Sequence, residues 1–260
     1  MPSSPQPTAQ FNVDKLPVAV YASTADMGLA AALAARDVIT ESITARGEAN
    51  VILATGNSQL AFLHALRELP NIDWPKVRIF HMDEYLGLPA GHPASFPKFL
   101  LEHFIGHVQV GAFHPVPGDA DAAETNCREY EALLRAHPVD LVALGWGENG
   151  HLAFNDPPYA FFDDPHWVKV IELADASRKQ QVGEGHFPDL ASVPTHAITL
   201  TIPALLAAKQ VLCIVPEARK VAAVSACLYE PVDEARPGSI LRTVDHARLY
   251  LDPESGRGVR

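Results

Sequence analysis

Residues 139–157 of this chain read VDLVALGWGENGHLAFNDP. The apolar run at 139–144 is short, rich in branched residues and closed by a glycine, which predicts a buried strand. In an open α/β sheet, ligands bind just beyond the carboxyl ends of the strands. His151 stands there among glycines and five residues before Asp156, an arrangement that indicates acid–base chemistry. A glycine-rich turn with a solvated histidine is the alternative, and this segment alone favours neither.

The rest of the chain alternates strand-like and helix-like segments. Strands are predicted at residues 16–22, 50–54, 77–82, 139–144, 197–202, 211–215 and 249–251. Helices are predicted at residues 24–47, 59–69, 96–104, 120–136, 204–208 and 217–228, with Thr24 as a candidate cap. This order predicts a Rossmann-like α/β fold, an open and mostly parallel sheet with helices on both faces.

The chain is expected to form one domain over residues 16–260, preceded by a disordered tail at residues 1–15. The tail is expected because the first ten residues are rich in Pro and Ser. The segment at 157–166, with three prolines and three aromatic residues, is either a mobile lid or a simple surface loop.

The composition excludes some classes of function. The 260 residues include 31 Asp and Glu against 20 Lys and Arg, so the formal net charge is −11. A surface of that sign argues against sequence-independent nucleic-acid binding, although a few local cations can still hold one phosphate. The longest apolar-rich stretch, residues 27–35, is too short to span a bilayer, so no membrane partner is expected.

Cysteine and histidine usage predicts neither disulfides nor a metal. Cys127, Cys213 and Cys227 form no CxxC pair, which indicates free thiols in a reducing compartment. The twelve histidines form no HExxH motif and no Cys/His cluster with metal-ligand spacing. Since no signal-peptide pattern is present, a cytoplasmic location is expected. The sequence is compatible with a homo-oligomer but does not fix the number of subunits.

A short polar turn joins the predicted strand at 50–54 to the next helix. It consists of Thr55, Gly56, Asn57 and Ser58. Backbone N–H groups at such a helix start, aided by hydroxyls, can hold a phosphate. Only one glycine is present, so the turn is neither a P-loop nor a dinucleotide motif, and an ordinary helix start is the alternative.

Two adjacent acids, Asp83 and Glu84, follow the predicted strand at 77–82. We expect one carboxylate to face the same crevice as His151 while the other points away. A carboxylate there can abstract a carbon-bound proton if burial raises its pKa. A solvated turn is the alternative, and it fits Glu84 better than Asp83.

Two cations complete the candidate site. Arg178 lies in a polar segment, and Lys220 lies at a predicted helix start after the strand at 211–215. A lysine at a helix start is unfavourable with the helix dipole unless an anion is near, which points to a phosphate. An exposed surface charge is the alternative for both residues.

With these segments in place, the chain resembles the glucosamine-6-phosphate deaminase (isomerase) family, within the larger group that also contains 6-phosphogluconolactonases. The resemblance covers residues 18–252, and the clusters at 54–58, 82–88 and 145–157 occur in the order found in the family. Lactonases typically have Asp-Glu-Arg where this chain has Asp-Glu-Tyr at 83–85. They also continue Gly-His with Thr-Ala-Ser rather than Leu-Ala-Phe-Asn, so the resemblance favours the deaminase side.

The resemblance implies a mechanism without a cofactor, acting on a small amino sugar phosphate. His151, with Asp156 and Asn149, would open the sugar ring. Asp83 would move a proton from C2 to C1, and water would release ammonia to leave fructose 6-phosphate. The phosphate would be anchored by Thr55, Gly56, Asn57, Ser58, Arg178 and Lys220.

Three residues depart from the common family pattern. Asn149 stands where many members have Asp, so it can hydrogen-bond a ring nitrogen but cannot stabilise an imidazolium by charge. His151 is therefore expected to depend on Asp156, which replaces the commoner Glu and is one methylene shorter. Gln59 stands where Pro is frequent.

Two other functions compete with the deaminase. One is a 6-phosphogluconolactonase. The other is a non-catalytic sugar-phosphate sensor, like the effector domains of some bacterial repressors. Such sensors usually carry an N-terminal helix-turn-helix domain, and only about fifteen residues precede the first predicted strand here. The sequence leaves open whether the sugar has the gluco or the galacto configuration.

Overall fold

The computed structural model describes residues 4–89 and 91–259. The strands are β1 (Ala9–Val13), β2 (Leu16–Val20), β3 (Ala49–Leu53), β4 (Val77–His81), β5 (Asp83–Tyr85), β6 (Ala112–His114), β7 (Leu141–Leu144), β8 (Val168–Glu172), β9 (His196–Leu200), β10 (Gln210–Val215) and β11 (Ala247–Leu251). The helices are α1 (Thr24–Arg46), α2 (Leu60–Glu68), α3 (Phe96–His103), α4 (Ala123–Ala136), α5 (Asp175–Gly183), α6 (Ile202–Leu206) and α7 (Val221–Tyr229). No helix within these residues combines the length and the apolar character that crossing a bilayer requires.

The main sheet has the strand order β1-β2-β11-β10-β7-β3-β4-β6. Every neighbouring pair in it is parallel except β1 and β2, which are antiparallel. From β3 the chain proceeds outward through β4 to β6, and from β7 it proceeds the other way through β10 to β11. The predicted α/β fold with a mostly parallel sheet is confirmed, and the direction of winding reverses between β3 and β7.

Both faces of the sheet are covered. Every residue of β3 and of β7 is buried, as expected for central parallel strands that have helices on both sides. Val51 and Leu53 pack on the face that carries α1, α2 and α3. Ile52 and Val142 pack on the opposite face, against side chains of α4, α6 and α7. The apolar runs therefore lack polar alternation because neither face meets water.

A second, smaller sheet was not predicted. It is antiparallel, with the order β5-β9-β8, and β5 begins one residue after the end of β4. A three-residue strand such as β5 has no readable periodicity, and its two acids resemble a turn. Tyr85 is fully buried there in a cluster with Phe154 and Phe187.

The prediction of a disordered tail over residues 1–15 is wrong for its second half. Residues 9–13 form β1, which pairs with β2 through a turn at Asp14, where φ is 50°. Phe11 and Val13 pack against the core, an alternation that the Pro- and Ser-rich composition of the first residues concealed. The first three residues lie outside the described part of the chain.

Candidate active site

A cleft lies at the carboxyl ends of the central strands. The predicted site residues that line it are Thr55, Gly56, Asn57, Ser58, Asp83, His151 and Lys220. Further lining residues include Gln59, Trp146, Gly147, Phe154, Gln180, Gln181, Glu184, His186 and Arg219. Because these residues follow β3, β4, β7 and β10, or cover their ends, the cleft sits where the winding of the sheet reverses.

One wall of the cleft is the turn at residues 55–58, called the β3 turn. Gly56 has a φ of 90°, a backbone conformation that favours glycine, and a short 3-10 turn at Asn57–Gln59 leads from it into α2. No side chain caps either helical start. The first N–H groups are therefore available to an anion, as at many phosphate sites.

A second wall is the turn at residues 217–220, called the β10 turn. Lys220 is 3% exposed, and its ammonium takes part in no ion pair with any described residue. Burial lowers the pKa of Lys220, and the carboxylate of Glu184 opposes that shift. Arg219 lies beside it and pairs with Glu217 and, at 2.9 Å, with Glu184. Lys220 is thus a buried cation on the cleft, and no described carboxylate lies within salt-bridge distance of its ammonium.

Arg178, the second predicted cation, does not lie on the cleft beside Lys220. Its Nη2 donates to the carbonyl oxygens of Leu190 at 2.7 Å and Val193 at 3.1 Å, which ties α5 to the turn that follows it. It is not among the residues that line the cleft. Arg219, which the sequence analysis did not single out, lies there instead.

His151 is held by a hydrogen-bonded group on the loop after β7. Its Nδ1 lies 3.0 Å from Oδ1 of Asp156, so the shorter acid reaches the ring. Asn149 does not contact the ring. Its Oδ1 accepts the His151 backbone N–H at 3.1 Å, and its Nδ2 donates to Asp156 at 2.6 Å. Ser177 of α5, absent from the sequence prediction, donates to Asp156 Oδ2 at 2.6 Å.

These contacts keep the Asp156 carboxyl ionised and determine which ring nitrogen of His151 carries the proton. Burial alone would raise the pKa of Asp156, but the charge and hydrogen bond of His151, with the Ser177 and Asn149 bonds, lower it to about 2. An ionised carboxylate only accepts hydrogen bonds, so Nδ1 of His151 carries the donated proton. Nε2 is then the ring nitrogen left for a ligand, and the ring lines the cleft.

The His151 loop is fixed from behind by the small sheet. Asn155, fully buried, donates through Nδ2 to the carbonyl oxygens of Leu152 at 2.7 Å and of Leu200 at 2.8 Å. The Phe154 N–H donates to the Thr199 hydroxyl at 3.1 Å. The loop therefore depends on β9, which also pairs with β5.

Asp83 faces the cleft from the start of β5 and is 7% exposed. Burial, followed by the neighbouring charge of Glu84, raises the pKa of Asp83 to about 8. Glu84 does not line the cleft, as expected for the acid that points away. It is not solvated, however: it is buried and accepts hydrogen bonds from the Ser95 hydroxyl and the Tyr85 N–H.

The segment at 157–166 is a surface loop rather than a cover for the cleft. None of its residues lines the cleft. Lys169 of β8 holds it by donating to the carbonyl oxygen of Tyr159 at 2.7 Å and to Asp164 at 2.6 Å. The cleft is instead covered by α5 and the turn after it, through Gln180, Gln181, Glu184 and His186.

The site carries acid–base groups and an anion-binding wall, and no metal cluster. Within residues 4–89 and 91–259, no three side chains of His, Cys, Asp or Glu converge as metal ligands would. Asp83 and His151 are groups that can accept and donate protons, and both line the cleft with the ammonium of Lys220.

Known proteins share this arrangement of the chain. A family model described as glucosamine-6-phosphate isomerases/6-phosphogluconolactonase matches residues 22–250. Glucosamine-6-phosphate deaminases of Bacillus cytotoxicus and of Bacillus thuringiensis (strain Al Hakam) are 33% and 32% identical over 218 residues. Those residues cover 84% of this chain and 81% of each relative.

Solved structures extend the likeness to the fold. A structure described as a monomeric glucosamine-6-phosphate deaminase superposes with a TM-score of 0.83 at 27% identity, covering 92% of this chain and 98% of that one. A 6-phosphogluconolactonase of Trypanosoma brucei superposes with a TM-score of 0.77 over 97% of this chain and 100% of its own. At 17% identity, that second likeness shows the fold alone.

Sequence relatives and structural neighbours both lead to one class, the α/β enzymes that process sugar phosphates. Within that class, the chain belongs to the glucosamine-6-phosphate isomerase/6-phosphogluconolactonase family.

The ionisation of Asp83 is expected to oppose folding. Its pKa of about 8 exceeds the ordinary value of 3.8, so the folded state holds the proton more tightly. The resulting contribution to stability is lost as the pH rises from about 4 to about 8. Asp83→Asn should therefore gain stability over the native protein across that window, by on the order of 5 kcal/mol at about pH 9, because the two pKa values differ by about four and a difference of one corresponds to about 1.4 kcal/mol. Thermal unfolding across the window measures this. Asp245→Asn, at a carboxylate that is 79% exposed, is the control. A difference that does not change with pH contradicts the assignment.

Gly147 is expected to be required for the position of His151. A Cβ at residue 147 would lie 2.1 to 2.3 Å from three atoms of the imidazole ring. Gly147→Ala should displace the ring from Asp156 and destabilise the protein by about 1–3 kcal/mol. Denaturant unfolding measures the loss. The matched control is Gly183→Ala, where a Cβ would meet nothing within 4 Å. Equal stability of the two variants would show that the ring does not pack as described.

Proposed function

We propose that this protein converts an amino-hexose 6-phosphate, with glucosamine 6-phosphate as the leading substrate, and water into fructose 6-phosphate and ammonia. The observation that carries the proposal is that Asp83 and His151, from different strand ends, line one cleft together with Lys220 and the β3 turn. The 32–33% identity with proteins named glucosamine-6-phosphate deaminase supports it.

The phosphate binds between the β3 turn and the β10 turn. The uncapped N–H groups of Asn57 and Ser58 and the buried ammonium of Lys220 supply donors and positive charge. A phosphate there gives Lys220 a direct anionic partner, which no described residue provides within salt-bridge distance. Arg219 adds charge at the same end of the cleft, where Glu217 and Glu184 orient it.

Ring opening falls to His151. Nε2 takes the proton of the anomeric hydroxyl and delivers a proton to the ring oxygen as the bond from C1 to that oxygen breaks. The hydrogen bond from Nδ1 to the ionised Asp156 stabilises the imidazolium that forms between the two transfers.

Isomerisation falls to Asp83. Its carboxylate removes the proton from C2 of the open-chain aldehyde while the aldehyde oxygen takes up a proton, which gives an enolamine, and it returns the proton to C1 while the amino group loses one. A pKa near 8 makes this carboxylate a much stronger base than an exposed aspartate, so the same group can accept and release the proton near neutral pH. The product is a ketose imine at C2. Water adds to it and ammonia leaves, so that fructose 6-phosphate remains.

A lactonase and a sugar-phosphate sensor, the two competing functions, each require different groups in the site. A lactonase needs water directed at a carbonyl and has no use for a strong base beside C1 and C2. A sensor needs the anion site alone. The burial of Asp83 with a raised pKa and the polarised pair of His151 and Asp156 favour the isomerising deaminase over both.

Incubation of the protein with glucosamine 6-phosphate should release ammonia and fructose 6-phosphate in equal amounts. Asp83→Asn should lower kcat by about 10³-fold with little change in KM, because it removes the base and not the phosphate site. A parallel assay with galactosamine 6-phosphate tests the configuration at C4.

Hydrolysis of 6-phosphogluconolactone without ammonia release would replace the deaminase with a lactonase. Tight binding of sugar phosphates with neither reaction would favour a sensor.

The pH dependence of kcat/KM should follow the ionisation of the Asp83 carboxyl. Since the base must be ionised, kcat/KM should rise with pH up to a limit near the pKa of about 8 in the free protein. Glu84→Gln removes a neighbouring charge that raises this pKa, so the rising limb should move to lower pH. The native protein and Glu84→Gln are assayed with the same substrate, so ionisation of the substrate affects both pH profiles equally. Coincident profiles would contradict the assignment of Asp83 as the titrating base.

A further inference from the structure

Gln59 is a buried amide on the cleft that has no part in the proposed reaction. It is 1% exposed and lies between the 3-10 turn after Gly56 and the start of α2. Its Nε2 donates to Ser58 Oγ at 3.2 Å and to the carbonyl oxygen of Ile214, near the end of β10, at 3.3 Å. Its Oε1 is buried without a hydrogen-bond partner among the described residues.

The orientation of this amide follows from its neighbours. The carbonyl oxygen of Ile214 can only accept a hydrogen bond, so the NH2 group of Gln59 must face it. A flipped amide would set two oxygens against each other. The same NH2 group therefore also faces Ser58.

The amide in turn sets the direction of the Ser58 hydroxyl. A hydroxyl has one proton to donate, and Ser58 Oγ is already an acceptor from Gln59. Within the described part of the chain, the Ser58 hydroxyl donates to no acceptor, and Ser58 lines the cleft. Its proton is thus free to point at an acceptor-only ligand such as a phosphate oxygen.

Gln59 also joins three strand ends. A Cβ on Gly145, directly after β7, would lie 2.9 Å from Gln59 Nε2 and 3.1 Å from the Ile214 carbonyl oxygen. The amide therefore occupies the narrow space between the ends of β3, β7 and β10. It links the β3 turn to the strand that precedes Lys220.

We propose that Gln59 is a positioning residue for anion binding: its amide, fixed by the Ile214 carbonyl oxygen at the end of β10, presets the Ser58 hydroxyl as a donor to the phosphate. A proline, the residue frequent at this position in the family, has no side-chain amide and cannot do this. The inference uses the phosphate site of the proposed function but not its reaction.

The test is a double-mutant cycle on the binding of inorganic phosphate, measured by calorimetry on the full chain. Ser58→Ala and Gln59→Met should each weaken phosphate binding about tenfold. The double variant should also lose about tenfold rather than about a hundredfold, because Gln59 acts through the hydroxyl that Ser58→Ala removes. Gln10→Met, the same change at an exposed position on β1, is the matched control and should leave binding unchanged.

Catalysis provides a second measurement. With glucosamine 6-phosphate, Gln59→Met should raise KM by the same factor as the phosphate dissociation constant and leave kcat within about twofold. Should Gln59→Met fail to fold, Gln59→Pro replaces it in the cycle, because it lacks the amide and carries the residue frequent in the family.

The outcomes separate this inference from the proposed function. Additive losses in the cycle, or unchanged phosphate binding in Gln59→Met, overturn the role of Gln59 and leave the deaminase proposal standing. A non-additive cycle in a protein that releases no ammonia supports Gln59 and overturns the reaction. Absence of phosphate binding in the native protein overturns both.

Discussion

The reversal of winding between β3 and β7 is the constraint on which the rest of the structure depends. Loops that leave two adjacent parallel strands in opposite directions diverge, and the space between them becomes a crevice. In this chain the β3 turn borders that crevice on one side and the His151 loop on the other. The small sheet adds the third side, because β5 continues from β4 and brings Asp83 to the same opening, with the N–H of Leu200 donating to the Met82 carbonyl oxygen at 2.8 Å.

Two aspartates in this crevice have opposite properties because their surroundings differ. Asp156 is buried, yet it accepts hydrogen bonds from a histidine, a serine and an asparagine, so its pKa falls to about 2. Asp83 is buried beside a second carboxylate, so its pKa rises to about 8. One acid therefore remains an anion that orients an imidazole, while the other is a base able to exchange a proton near neutral pH. Pairs of carboxyl groups whose pKa values are driven apart in this way are typical of acid–base sites.

Much of this arrangement could be predicted from the sequence, since central parallel strands read as continuous apolar runs. The strands at 50–54 and 139–144, and the polar residues directly after them, indicate where the crevice lies. Site residues that lie far in sequence from these strand ends cannot be predicted in that way. Ser177 and Arg219 lie in polar segments whose patterns resemble any exposed helix, and only packing brings them to Asp156 and Glu184. Arg178 donates to two backbone carbonyl oxygens and does not line the cleft, and a sequence does not show which carbonyls a guanidinium will meet.

Helix α5 has a consequence for how the crevice must operate. Within one and a half turns it carries Ser177, which bonds Asp156, and Gln180 and Gln181, which cover the cleft. Because all three residues lie on one short helix, any displacement of α5 that uncovers the cleft would also lengthen the hydrogen bond from Ser177 to Asp156. The support of the His151 ring and the cover over the cleft therefore share a single element.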